Sequence, residues 1–144
     1  MALKDTQQEA LEYLRSWISP ATTGILHVDI DAADAINELP ILVIFDEGML
    51  DRRVPGSGRR ELEWDLQLQV FVQLSDLATA MRKCRDIRGD LIDRLGKSLT
   101  LGHVVSRTVW KEGLKAVDLE YGGVKYAGLT GVLTLILNDA FSYE

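Results

Sequence analysis

Residues 59–74, RRELEWDLQLQVFVQL, place Leu62, Trp64, Leu66, Leu68, Val70, Val72 and Leu74 on every second position. Side chains of a strand alternate between faces, so these seven line one side while Glu61, Glu63, Asp65, Gln67, Gln69 and Gln73 line the other. At about 3.3 Å per residue such a strand spans about 40 Å, close to the full width of a compact domain with a radius of gyration of about 14 Å. The pattern predicts a strand whose 66–74 half anchors a sheet beneath a helix. Its 59–65 half is then an arm offered to a neighbour.

A chain of 144 residues, 47% of them apolar, fits one domain with a real core. No apolar run approaches the ~20 residues of a transmembrane helix. The segment MALKDTQQEA turns polar at once and lacks the apolar stretch of a signal peptide, which predicts folding in a cytoplasm and no membrane partner. The single Cys84 has no cysteine partner for an internal disulfide. A net charge of −6 argues against a nucleic-acid partner, since phosphate neutralisation needs a basic face. Residues 51–60 nevertheless hold Arg52, Arg53, Arg59 and Arg60 against one aspartate, a balance of +3 that leaves −9 for the rest.

Helical spacing of Leu11, Leu14, Trp17 and Ile18 predicts a helix over 6–18, opened by a capping box of Thr6 and Glu9. A short strand follows at 25–30, then a helical turn over 31–39. The run PILVIFD at 40–46 suits a central strand covered on both faces. Between it and the long strand, residues 47–58 carry Gly48, Pro55, Gly56, Ser57 and Gly58 and read as the exposed tip of a hairpin. A second helix over 76–95 has Leu77, Met81, Cys84, Ile87 or Arg88, Leu91, Ile92 and Leu95 as its apolar stripe, with Ser75 or Asp76 as its cap and Gly96 at its end. Segments 104–110 and 114–120 read as a hairpin around Glu112-Gly113, and a last strand runs from 125 to 137. The sum is an α+β fold: an antiparallel or mixed sheet, two main helices on one face, and a long protruding hairpin.

Chemistry-bearing motifs are sparse. His27 and His103 lack the spacing of a zinc or catalytic pair. Gly56-Ser57-Gly58 satisfies neither a phosphate loop nor a nucleophile elbow. Carboxylates at 61, 63 and 65 stand about 7 Å apart along one face, too far for tight shared metal coordination. These readings predict no enzyme, no cofactor and no metal site. A basic hairpin tip on an acidic body instead suits a heterologous subunit contact.

The order of these elements, with LPILVIFDEG at 39–48, the Arg-rich excursion, RRELEWDLQLQVFV at 59–72, the helix ending near Leu95 and the closing GLTGVLTL strand, resembles the tail terminator (tail completion) proteins of long-tailed bacteriophages. The resemblance covers nearly the whole chain and rests on element order and size. It implies a single domain over 1–144, a monomer when free and a hexameric ring on assembly. The ring sits at the head-proximal end of the virion tail, contacts the tail tube protein and a head-completion connector, and is made in the host cytoplasm. Carried onto this chain, it implies interface roles for Arg52, Arg53, Arg59 and Arg60, with Glu61, Glu63 and Asp65 as acidic counterparts. Two alternatives are another head–tail connector, and a small-ligand α+β domain with a cleft beside His103 and Trp110.

Overall fold

The structure is a computed structural model that describes residues 3–18, 24–31, 39–54 and 59–138, leaving aside the side chains of residues 53, 54, 59, 60 and 138. In chain order the elements are α1 (Leu3–Trp17), β1 (His27–Ile30), β2 (Ile41–Val54), β3 (Arg59–Val72), α2 (Leu77–Gly96), β4 (Arg107–Tyr121) and β5 (Val124–Asn138). They form one five-stranded sheet in the order β1-β2-β3-β5-β4. Only the β1–β2 pairing is parallel, so the fold is α+β with a mixed sheet. The turn expected at 31–39 lies outside the described residues apart from its ends.

β3 is the spine of the molecule, as its alternation requires. Leu62, Trp64, Leu66, Leu68, Val70 and Val72 are all buried, and they join Ala10 and Leu14 of α1, Ile18 just past its end, and Ala80, Cys84, Ile87, Leu91 and Leu95 of α2 in one core. Both helices therefore cover the same sheet face. Across each side chain that leaves water for this core the gain is about 1.5–3 kcal/mol. The expected arm is shorter than its sequence suggests: β5 accompanies β3 as far as the Glu61–Asn138 pair, and Leu62 and Trp64 are core residues. Leu74 lies past the strand end and is exposed.

Four other expectations are corrected. Residues 47–54 are strand rather than loop: β2 runs through a bulge between Asp46 and Gly48, where Gly48 has φ +120°. Glycine supplies this backbone conformation without a Cβ clash. Asp46 pins the bulge, its Oδ1 accepting from Gly48 N at 2.9 Å and Trp64 Nε1 at 3.0 Å.

Residues 107–121 are one strand, not a hairpin around Glu112-Gly113. Both halves pair with β5, end to end, and register shifts at Trp110/Glu112 and Glu112/Lys115 absorb the extra residues. Gly131 of β5 makes room for this irregularity, since a Cβ there would stand 3.0 Å from both the Glu112 carbonyl oxygen and Leu114 Cδ2. The true turn is Gly122-Gly123, both with positive φ, as a tight two-residue hairpin requires.

α1 begins at Leu3, so Thr6 lies inside the helix and is buried rather than capping it. In α2, Leu77, Met81 and Ile92 are exposed, and the core stripe runs through Ala80, Cys84, Ile87, Leu91 and Leu95 instead. Asp76 does cap this helix, accepting from Thr79 N at 3.2 Å and Thr79 Oγ1 at 2.6 Å. These two bonds hold its carboxyl below the usual range.

Candidate interaction surface

With both helices on one face, the opposite face at the β2–β3 hairpin end is left as an open trough of about 710 Å³. Its walls come from strands three places apart, with Leu50 and Arg52 on β2 and Arg107, Val109 and Lys111 on β4. Its floor is Glu63 and Asp65 of β3 with Thr134 and Ile136 of β5. The alternation of β3 explains this placement, because its even-numbered apolar residues point to the helices and leave the odd-numbered acids on the other side. Strand spacing of about 4.8 Å sets the β2 and β4 backbones about 14 Å apart.

Two ion pairs cross the floor. Arg52 Nε lies 3.4 Å from Glu63 Oε1, and Lys111 Nζ lies 2.8 Å from Asp65 Oδ2. Thr134 Oγ1 donates to the other oxygen of Asp65 at 2.6 Å. Partial burial pushes the Asp65 carboxyl up, but the hydrogen bonds from Lys111 and Thr134 and the Lys111 charge together outweigh it and hold the group below its ordinary value. The same bond and the Asp65 charge raise the Lys111 ammonium.

The pairs are vertically unequal. The acids sit low, with side chains 27% exposed for Glu63 and 24% for Asp65, whereas Arg52 and Lys111 stand 62% and 61% exposed. Arg107 is exposed on the same rim. The lining as a whole balances Arg52, Arg107 and Lys111 against Glu47, Glu63 and Asp65, with the cations standing higher than the two floor acids. Leu50 and Val109, 51% and 44% exposed, add apolar surface on facing walls. Scattered exposed aliphatics are common, but two within one concave surface suit a contact; the register sets Leu50 level with Arg107 and Val109 level with Gly48.

Of the residues singled out by sequence, the structure brings together Arg52, Glu63 and Asp65 in this trough, with Glu61 one pair along β3, opposite Arg52. The backbone register pairs Arg53 with Arg60 and Val54 with Arg59 nearer the hairpin end. Sequence reasoning missed Lys111, Arg107, Val109, Thr134 and Leu50. Alternation about the β4 bulges scrambles the facing of Lys111, and the misplaced hairpin hid Arg107 and Val109.

Other candidate chemistry does not converge. His103 lies exposed in a turn with φ +71°, while Trp110 packs against the helix-side core. His27 Nε2 lies 2.7 Å from Asp29 Oδ1 at the start of the short edge strand. Burial raises the Cys84 thiol, the state of an inert core cysteine rather than a nucleophile. Among the described residues no group of three or more His, Cys, Asp or Glu side chains is arranged to hold a metal ion, and no helix is long and apolar enough to cross a membrane. No protein-family model and no curated protein matches the chain.

Proposed function

We propose that this protein is a structural assembly protein that caps the head-proximal end of a long-tailed phage tail tube as a ring, ends tube polymerisation and presents a surface for head joining. The observation that carries the reading is the trough: a concave sheet face at the hairpin end, lined by balanced charges, with exposed Leu50 and Val109 and two ion pairs already in place. Such a surface suits association with another protein surface, through apolar contact at its walls and charge complementarity at its paired floor and rim. The order of elements along the chain, which resembles that of tail terminators, supplies the identity of the partners: copies of this chain, the tail tube protein and a head-completion connector.

Purified protein added to polymerising tail tube subunits tests this directly. The expected result is arrested growth and extra density at one tube end in negative-stain images. Tubes that lengthen at an unchanged rate with bare ends would remove the reading.

A further inference from the structure

The outer face of α2 is left uncovered by the fold. The helix buries Ala80, Cys84, Ile87, Leu91 and Leu95 against the sheet, and Arg94 reaches Trp17 of α1 on one flank. A rotation of about 100° per residue puts Met81 and Ile92 on the flank away from α1, where they stand 38% and 42% exposed. Next to them round the helix lie Ala78, Gly89 and Gly96, all exposed, and the two glycines have open space where a Cβ would stand. A face with so little side chain lets a second helix approach closely.

Charge along this helix is segregated. Arg82, Lys83 and Arg85 fill one stretch, and Asp86, Asp90 and Asp93, with Arg88 among them, fill the next. Among the described residues, the side chains of Arg82, Arg85, Asp90 and Asp93 take part in no ion pair. Arg82 and Asp93 stand about 16 Å apart along the axis at 1.5 Å per residue, so they cannot meet within one helix.

A second α2 laid antiparallel answers the whole pattern in a single register. With Arg82 of one copy level with Asp93 of the other, Arg85 is level with Asp90, and symmetry repeats both pairs. In the same register Met81 falls within two residues of Ile92, Ala78 within one residue of Gly96, and Gly89 level with Asp86. We propose that two copies of the free protein pair through these faces of α2, antiparallel about a two-fold axis, with reciprocal Arg82–Asp93 ion pairs and with Met81 and Ile92 covering each other.

Both copies use the same patch, so the contact closes at two and does not propagate. It lies on the helix side of the sheet and leaves the trough free, so it stands apart from the capping reading, whose parent resemblance implies a monomer when free. One pair of helices about 30 Å long is a small contact, and the dimer is accordingly weak and concentration-dependent.

Sedimentation equilibrium of the full chain, from low micromolar to near-millimolar concentration, tests it. The wild type is expected to show a monomer–dimer equilibrium that weakens with added salt. Arg82→Glu and Asp93→Arg should each weaken association by about tenfold, because each sets like charges together at both ends of the contact. Mixed in equal amounts, the two variants should associate again, since one brings acids to both positions and the other brings bases. Far-UV circular dichroism checks the fold of each, and recovery on mixing cannot arise from a folding defect.

A wild type that stays monomeric throughout, single variants that dimerise as well as wild type, or a mixture no more associated than its components each overturns the proposal.

Discussion

Trp17 and Arg94 bind each other twice through side chain and backbone: the indole Nε1 donates to the Arg94 carbonyl at 3.0 Å, and Arg94 Nε donates to the Trp17 carbonyl at 2.9 Å. The guanidinium also lies 3.5 Å from the centre of the indole ring. Tyr13 stacks on the same indole at 5.5 Å and shares a hydrogen bond of 2.9 Å with Ser98. The ends of α1 and α2 are thus clamped together, which holds both helices on one side and leaves the trough side open.

Arg94→Ala is expected to lower the unfolding free energy by about 2 kcal/mol, because it removes a charge-assisted hydrogen bond and the stacking contact. Arg94→Lys should recover only part of this, since an ammonium lacks the planar fork. Urea unfolding of the two variants measures both. A loss below a few tenths of a kcal/mol for Arg94→Ala would show that the clamp contributes nothing.

Asp46→Ala should cost about 1–3 kcal/mol, because it strips the partner from the indole N–H of buried Trp64 and from the amide of Gly48 in the β2 bulge. Asp46→Asn keeps an acceptor oxygen and should be much milder. Chemical denaturation followed by Trp fluorescence distinguishes them; equal losses would mean that charge, not the hydrogen-bond pattern, holds the bulge.

Glycines 128 and 89 should respond in opposite directions to alanine. A Cβ at Gly128 would collide with the Val70 carbonyl oxygen and the Leu119 side chain, so Gly128→Ala is expected to destabilise by about 3 kcal/mol. Gly89 lies within α2 with open space around its Cα, and Gly89→Ala should stabilise by about 0.5–1 kcal/mol. Thermal melts of the pair decide it, and a neutral Gly128→Ala would contradict the close approach of β5 to β3.

The Asp65–Lys111 pair predicts how stability follows pH. The folded pKa of Asp65 lies below its ordinary 3.8, so its contribution is in place above that value and is lost as pH falls through the folded value. Lys111 has the opposite sign: raised above 10.5, it contributes fully below that value and loses its contribution as pH rises through the raised one. Asp65→Asn should therefore flatten the fall in stability below about pH 4 and also shrink the alkaline limb, as Lys111 loses its partner. Urea midpoints across pH for wild type and variant provide the measurement, and superimposable curves would dismiss the coupling.

The strong periodicities were legible in the chain. Alternation over 62–72 marked β3 and its buried face, the continuous run at 41–45 marked a doubly covered strand, and Ser75 or Asp76 marked the start of α2, the structure choosing Asp76. Alternation also placed Glu61, Glu63 and Asp65 together. What misled was glycine. Gly48 and Gly113 read as loop and turn, but both sit in bulges inside long strands, a distinction that depends on whether a partner strand continues alongside. The exposure of Leu77, Met81 and Ile92 was likewise hidden, because which flank of an apolar stripe is covered depends on where the sheet ends beneath the helix.

By itself, the sequence determined the two helices, the strand character and buried side of β3 and the acidic row on its reverse, since these follow from side-chain period along a single segment. Only the tertiary structure decided that β4 is one strand. It also decided that Lys111 and Thr134 reach Asp65 and that Leu50 and Val109 line one trough. Those relations join residues far apart in the chain, and strand register, which no local pattern carries, sets them.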